Sequence, residues 1–305
     1  MKFSIVVPTY NGGVVFEQCA KSLSTQDGDA HRILVVDSSS TDNTIEVAKR
    51  YGFEIESIDS SSFDHGGTRN MALSMVGEVD YVVFLTHDAV LESDSAISKV
   101  IAFCEKNNLS AACGKQLPHK NATIISSHAR EFNYPSKSRI SDKSSIQEYG
   151  LKAAFCSNSF AVYRLRDLQA VGGFPESLIF GEDMYAAAKL ILSGKKVGYC
   201  AEAAVFHSHN YSISQEFRRY FDIGVLHGLE NWLLKEFGSV SGEGLKFVLS
   251  ELKAIGLRHP VMFVSSFIRT GAKLLAYRLG CLSSRLPVSV CAFLSMNKSY
   301  WVKSK

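Results

Sequence analysis

The sequence predicts an α/β fold: a mainly parallel sheet flanked by helices, with a helical appendage at the C-terminal end. Three observations carry this. Runs such as "FSIVVPT" at 3–9, "ILVV" at 33–36 and "YVVFL" at 81–85 are almost continuously apolar, as in strands covered on both faces. They alternate with stretches of helical spacing, the pattern of a parallel sheet. Beyond residue 213 only long helical spacing remains.

The elements follow in order. Residues 3 to 9 close in Pro-Thr-Tyr-Asn-Gly-Gly and read as a buried strand entering a loop. Residues 14 to 26 show helical spacing at Val15, Cys19, Ser22 and Leu23. "RILVVDSSSTDNT" is a second strand with a polar exit, followed by a helix that ends at Gly52. "EIESID" is a short strand. "FDHGGTRN" at 63–70 reads as a turn, with Gly66 and Gly67 supplying positive φ or a close approach. "TRNMALSMV" is then a helix, "DYVVFLTHDAVL" one strand, and Ser95 to Asn107 another helix. Residues 115 to 150 are polar and irregular and read as a substrate loop. "AAFCSNSFAVYR" reads as a strand interrupted by Ser-Asn-Ser, and "GEDMYAAAKLILSGKKVGYC" as a helix opened by two acids, then a strand. Residues 213 to 237 and 245 to 279 read as helices with broad apolar faces.

Composition narrows the class. The chain has 305 residues, enough for one large domain or a domain with an appendage. From Ser239 to Lys305 there are ten Lys/Arg against two acids. That net +8 leaves −5 for the rest of a chain whose total is +3. Such a tail suits an anionic partner, a membrane surface or nucleic acid. No nucleic-acid recognition module is readable, so nucleic acid is not expected. The seven cysteines are scattered, without a C-x-x-C pair, which argues against a disulfide framework or zinc knuckle and suits a reducing cytosol. "MKFSIVVPTY" is too short in its apolar part for a signal peptide, and no apolar run approaches the ~18 residues of a membrane span.

In parallel sheets ligands sit off the carboxyl ends of the strands. The loops at Pro8, Asp37, Asp64 and Asp88 are therefore the ones to inspect. Asp88 at a strand mouth is either a turn cap or a hydrated, paired or metal-bound carboxylate. Glu182 and Asp183 are either first-turn acids matched to a helix dipole or a general base. His207 and His209 alternate along an expected strand, so both imidazoles share a face as in a metal site, or are structural. Asp37 reads a ligand or makes an Asx turn. Neither a G-x-G-x-x-G after the first strand nor a P-loop is present, so dinucleotide and P-loop readings lose support.

Taken in order, "SIVVPTYNGG", "ILVVDSSSTDNT", "GGTRNMAL", "YVVFLTHDAVL", "SNSFAVYR", "VGGFPESLIFGEDMYAAAKL" and "VFHSHNYS" resemble the family-2 glycosyltransferases of the GT-A fold. More particularly, "FDHGGTRN", "LTHDA", "HSHNYS" and the tail "AYRLGCLSSRLPVSVCAFLSMNKSYW" resemble bacterial L-rhamnosyltransferases of O-antigen and capsule assembly. The resemblance implies a Rossmann-like mixed sheet over residues 1–212, with a nucleotide-sugar half to about 115 and an acceptor half beyond it. Residues 213–305 would form a basic helical region that meets the membrane or a second copy.

It also implies an inverting transfer of rhamnose from dTDP-β-L-rhamnose to a lipid-linked oligosaccharide. The enzyme would be cytoplasmic and peripheral to the inner face of the membrane. On this resemblance Thr9 and Asp37 contact the base, with Asp37 accepting its N3–H, and Arg69 lies beside the base or diphosphate. Pro8, Tyr10, Asn11, Ser39 and Asn158 join the donor site. Asp64 and His65 help form the wall that recognises the sugar or diphosphate, while Gly66 and Gly67 let the backbone approach the nucleotide. Thr86, His87 and Asp88 stand where the family has a D-x-D metal motif, whose first acid is missing here. Asp88 with His207 or His209 would hold a divalent cation, Mg²⁺ or Mn²⁺. Asp183 matches the catalytic base, with Glu182 its rival. Two alternatives stand beside this reading. One is the same fold with UDP-galactose, a UDP-N-acetylhexosamine or UDP-galactofuranose as donor. The other is a non-catalytic nucleotide-sugar-binding subunit.

Overall fold

A computed structural model describes residues 1–28, 30–238, 242–256 and 259–303. Its centre is one nine-stranded sheet. In chain order the strands are β1 (Phe3–Thr9), β2 (Arg32–Asp37), β3 (Glu54–Ser57), β4 (Tyr81–Leu85), β5 (Val90–Leu91), β6 (Ala111–Leu117), β7 (Arg139–Ser141), β8 (Phe160–Arg164) and β9 (Val197–Phe206). Across the sheet the order is β3-β2-β1-β4-β8-β6-β9-β5, with β7 also paired to β9.

The first four strands in that order are parallel. β8 then runs antiparallel to both β4 and β6, and β9 is parallel to β6. β5 and β7 pair antiparallel with β9. The sheet is thus mixed, as the resemblance implied, and not mainly parallel as the apolar runs suggested. The reason is that "FAVYR" of β8 is buried on both faces, and double burial erases alternation whichever way a strand runs. On β1, Ile5 and Val7 face one core and Val6 the other, so the sheet separates two apolar layers.

Register sets the functional edge. Thr9 lies opposite Asp37, and Asp37 opposite Ser57. Val6 lies opposite Phe84, which brings the exit of β4 level with the loop after β1. Because β8 is reversed, its start at Phe160 pairs with Leu85. β9 runs with β6, and the residue after its end, His207, donates its N–H to the Leu117 carbonyl at 2.9 Å. The carboxyl ends of β1, β2, β4 and β9 and the entry to β8 therefore share one edge.

Several local expectations change. β4 stops at Leu85, and a turn (Ala89 N–H to Thr86 carbonyl, 3.0 Å) separates it from β5. Residues 118–159 are not a structureless loop. They hold the helix Ile124–Asn133, capped by Thr123, and β7. "AAFCSNSFAVYR" is a 3-10 turn followed by a strand that begins only after Ser-Asn-Ser. "FDHGGTRN" is a helix start: the helix His65–Met75 begins inside it, and Asp64 caps it by accepting the Gly67 N–H at 2.6 Å.

Gly66 and Gly67 are absent from the positive-φ residues, so no turn explains them. A Cβ on Gly66 would stand 1.7 Å from the Pro175 carbonyl oxygen, so the close approach is to the protein's own loop rather than to a nucleotide. Asn70 completes that junction by accepting from the Phe174 N–H (2.9 Å) and donating to its carbonyl (2.8 Å).

The C-terminal region folds into helices at Ile213–Leu229, Trp232–Phe237, Glu243–Ile255, Pro260–Cys281, Val288–Leu294 and Lys298–Lys303. Residues 257 and 258 of the expected second helical stretch, and Lys305 of the basic tail, lie outside the described residues. Helices 213–229 and 260–281 cross backbone to backbone. A Cβ on Gly280 would stand 2.0 Å from the Phe221 carbonyl oxygen. Phe221, Val225, Ala276 and Trp301 join one of the sheet's two cores. Among the described residues no helix is long and apolar enough to cross a membrane.

Candidate active site

The loops after β1 and β2 are locked together. Thr9 Oγ1 donates to Asp37 Oδ1 at 3.0 Å, Ser40 Oγ donates to the same oxygen at 2.6 Å, and the Ser40 N–H to Oδ2 at 2.8 Å. The Asn11 N–H donates to Ser40 Oγ at 2.8 Å, and Asn11 Oδ1 accepts the Thr41 N–H at 2.8 Å. Asn11 and Ser39 hold left-handed φ of 46° and 64°, where non-glycine backbone is strained. Asp37 is 0% exposed. Its carboxylate is turned to Thr9 and Ser40, which fix its orientation at the carboxyl end of β2. Pro8 is likewise buried inside β1. Tyr10, Asn11 and Ser39 are exposed in this loop pair, as are Thr41, Asp42 and Asn43.

The turn after β4 meets the loop after β9. Asp88 Oδ2 lies 3.4 Å from His207 Nε2 and 3.6 Å from His209 Nε2. One ligand atom from each of the three residues falls within 4.8 Å of the others. Both histidines lie past the end of β9, not within a strand as expected, yet they converge on one carboxylate. Gln116 of β6 explains how His207 is aimed. Its Oε1 is 2.9 Å from His207 Nδ1 and also accepts from Arg130. An amide oxygen can only accept, so His207 Nδ1 carries a proton and Nε2 is left facing Asp88, which it can meet either as an N–H donor or through a shared cation.

Burial opposes charge on Asp88, but the His207 hydrogen bond outweighs it and holds the carboxyl well below the usual range. His209 is lowered to about 4, by burial first and by His207 next. One carboxylate oxygen and two imidazole nitrogens are a donor set that fits a divalent ion. His87 instead lies against Gly12, whose added Cβ would meet its ring at 3.4 Å.

The third part is the start of helix Glu182–Leu192, entered through Gly181 at φ 83°. Glu182 is buried and faces Arg69, whose Nη1 is 3.2 Å from Glu182 Oε1. Asn158 Nδ2 donates to the same oxygen at 3.0 Å, and the Asn158 N–H donates to Asp183 Oδ2 at 3.0 Å. Tyr163 fixes the Asn158 amide by donating to Oδ1 at 2.9 Å.

The two neighbouring acids are thereby driven apart. Burial works against the Glu182 charge, but Arg69, His65 and Asn158 prevail and lower its pKa. Asp183, half-buried, is raised to about 6, first by burial and then by the adjacent Glu182 charge. A carboxyl poised there can take a proton near neutral pH. Arg69, expected beside the donor, is buried and committed to Glu182 and to the His65 carbonyl (2.8 Å). Asp64 is the helix cap and also accepts the Ser177 N–H at 3.2 Å. The His65 ring packs edge-on against Phe63.

Sequence reasoning missed Gln116 and Arg130. Gln116 had a signal, since it is a lone amide near the carboxyl end of a largely apolar strand.

Comparison with known proteins follows the same lines. The family model described as glycosyl transferase family 2 matches residues 4–172. Two O-antigen chain rhamnosyltransferases, of Salmonella anatum and of Salmonella typhimurium strain LT2, are 44% and 43% identical to this chain. The matches cover 98% and 99% of this chain and 95% and 96% of theirs. Among solved structures, the Pyrobaculum calidifontis mannosyltransferase in complex with GDP-Man and Mn²⁺ superposes with a TM-score of 0.62 at 15% identity. That superposition covers 92% of this chain and 86% of the other. Staphylococcus aureus TarS in complex with UDP-GlcNAc gives 0.55 at 17% identity, covering 93% and 92%. These two share the fold.

Proposed function

The chain belongs to glycosyl transferase family 2 and has the GT-A fold, and on that premise we propose that it moves L-rhamnose from dTDP-β-L-rhamnose to a hydroxyl of a lipid-linked bacterial surface glycan, with inversion. The observation that carries the chemistry is the split between Glu182 and Asp183: one acid is neutralised by Arg69, and its neighbour is held by amides with its pKa raised to about 6. Asp183 takes the acceptor O–H proton as that oxygen attacks the anomeric carbon. The bond from that carbon to the diphosphate oxygen breaks, and dTDP leaves as the anion. A single displacement of this kind needs one base, not the carboxylate pair of retaining hydrolases.

Asp88, His207 and His209 would hold a divalent ion, Mg²⁺ or Mn²⁺, the two imidazoles favouring the softer Mn²⁺. Such an ion supplies positive charge where the diphosphate departs. The identity to two O-antigen chain rhamnosyltransferases over nearly the whole chain supports rhamnose as the sugar and O-antigen as the product class.

A lipid-linked acceptor suits a chain held at the inner face of the cytoplasmic membrane. Val261, Val264, Phe267, Ile268, Leu274 and Leu275 are exposed and follow one side of helix Pro260–Cys281. Arg269 and Lys273 turn away to pair with Glu216 (2.9 and 3.4 Å), so they add no charge to that face. Lys253, Arg278, Arg285 and Lys298 remain exposed for anionic headgroups. Flotation with anionic vesicles tests this. Failure to float, together with a dimer by light scattering, would assign the stripe to a second copy.

Donor profiling tests the activity. The purified protein should release dTDP from dTDP-rhamnose in the presence of a lipid-linked acceptor and leave UDP-galactose, UDP-N-acetylhexosamines and UDP-galactofuranose intact. Transfer from a UDP-sugar with dTDP-rhamnose untouched would replace the proposed donor.

A further inference from the structure

His207, His209 and Tyr211 alternate in sequence, and in the structure their rings follow one another past the end of β9. The His207 and His209 rings meet edge to face, with centroids 4.7 Å apart at 87°. The His209 and Tyr211 rings stack, 5.1 Å apart at 25°. The two histidines are held differently. The His207 side chain is 10% exposed, and its Nδ1 is fixed by Gln116. The His209 side chain is 38% exposed, and among the described residues no hydrogen bond holds its ring.

The chain around His209 is tied down through its backbone and Asn210. The His209 carbonyl accepts from Ser126 Oγ at 3.0 Å, and Asn210 Oδ1 accepts the Thr123 N–H at 2.9 Å. These contacts fix where the loop lies but not how the imidazole turns about its side-chain bonds. The Tyr211 ring does that. A stacked neighbour sets the plane of the imidazole, and so the direction of Nε2, which stands 3.6 Å from Asp88 Oδ2.

Tyr211 is in turn held from the C-terminal region. Arg269 Nη1 donates to the Tyr211 carbonyl at 3.0 Å. The same nitrogen stands 2.9 Å from Glu216 Oε2, with both side chains largely buried, and Ser265 Oγ accepts from Arg269 Nε at 3.3 Å. A planar guanidinium engaged at three points is a stiff anchor. A continuous path of contacts thus runs from helix Pro260–Cys281 through Arg269 and Tyr211 to His209 and Asp88.

We propose that Tyr211 is a positioning residue of the candidate metal centre: anchored by Arg269, its ring holds His209 toward Asp88, as Gln116 holds His207. The proposal rests on the reading of Asp88, His207 and His209 as the cation site. Tyr211 acts through His209 and is not itself a ligand.

The test titrates Mn²⁺ alone, by electron paramagnetic resonance, into the full chain of the parent, Tyr211→Leu, Tyr211→Phe and Arg269→Met. Transfer is followed against Mn²⁺ concentration in the same proteins. Tyr211→Leu keeps bulk but loses the flat face. It should weaken Mn²⁺ binding by about 3–10-fold, the worth of an aromatic pair. Transfer should fall at limiting Mn²⁺ and recover with excess. Tyr211→Phe keeps the ring and should bind as the parent does. Arg269→Met should move the affinity in the same direction by less, because Ser126 and Asn210 still hold the backbone. If Tyr211→Leu does not fold, Arg269→Met decides. Parent-like Mn²⁺ affinity in Tyr211→Leu overturns the proposal, and a lowered melting midpoint beside it marks a merely structural contact. Equal loss in Tyr211→Phe also overturns it, since the effect then belongs to the hydroxyl and not to the stacked face. Parent-like affinity in Arg269→Met removes the anchor. A parent that binds no Mn²⁺ removes the cation site itself, whereas the other outcomes leave that site standing.

Discussion

Arg69 Nη1 stands 3.2 Å from Glu182 Oε1, with the two side chains 5% and 6% exposed. This pair separates two acids that are adjacent in sequence: Glu182 is held ionised, and its charge helps raise Asp183 to about 6. Such a separation is how one site assigns different roles to two carboxyls.

Glu182→Gln should therefore change the pH profile in a defined direction. The base works only when deprotonated, so the parent's kcat/KM should fall as pH drops below about 6. Removing the Glu182 charge removes a cause that raises Asp183 and leaves Arg69, a cause that lowers it. The acid limb should move to lower pH. Stability should fall by about 3–5 kcal/mol, because Arg69 is left buried and unpaired. Denaturant melts and a pH series of kcat/KM check both halves, and an unmoved limb would break the assignment.

Asp183→Asn should lower kcat by about 10²–10⁴-fold, the usual contribution of a positioned base. The amide keeps the shape, but its single oxygen can accept from only one of the Asn158 and Met184 N–H groups, which meet different oxygens of Asp183, so a modest loss of stability should accompany the variant while donor affinity by calorimetry stays near the parent value. The inflection near pH 6 should disappear. Unchanged cell-surface glycan in a strain carrying only this variant would favour a non-catalytic subunit.

Chelation should abolish transfer, and Mn²⁺ should restore it at lower concentration than Mg²⁺. The sharper test is Gln116→Ala. Gln116 is not among the three grouped ligand candidates, but its Oε1 sets the tautomer and aim of His207. Its loss should weaken Mn²⁺ binding by about 10–100-fold, as is usual for partners one step behind a ligand. Mn²⁺ titration by electron paramagnetic resonance reads this directly. Equal affinity in parent and variant would place the ion elsewhere.

What the sequence revealed and concealed follows from how local each signal is. β1, β2 and β4 were readable because double burial writes itself as an uninterrupted apolar run. The direction of β8 was not, because the same run appears in either direction. The helix Ile124–Asn133 was overlooked although it is amphipathic, because its buried side includes the polar Ser126 and His128 and it lies in a polar stretch. Asp88, His207 and His209 were picked out by residue type, and the structure brings them together. The pairing of Arg69 with Glu182 was not legible because the two are far apart in sequence and nothing beside Arg69 announces its partner. The serine- and threonine-rich neighbourhood of Asp37 supported an Asx-type turn as well as a ligand site, and the turn network is present in the structure.

Gly66→Ala tests the revised reading of "FDHGGTRN". If the glycine existed to admit a nucleotide, alanine would weaken donor binding and leave the fold intact. The geometry points the other way. The new methyl would stand 1.7 Å from the Pro175 carbonyl oxygen, a backbone atom that cannot swing aside as a side chain does. Relief requires helix His65–Met75 to lift from the loop at 173–177, which would also strain the Asn70–Phe174 hydrogen bonds and the Asp64–Ser177 contact. Overpacking of this kind costs about 1–3 kcal/mol or more. Gly66→Ala should thus lower the melting midpoint clearly, with transfer lost in step with the folded fraction. Gly67→Ala is the control: its Cβ would meet only the Asp64 side chain, at 3.2 Å. It should be milder in both respects. A Gly66→Ala protein that melts like the parent yet binds donor poorly would restore the nucleotide-approach reading.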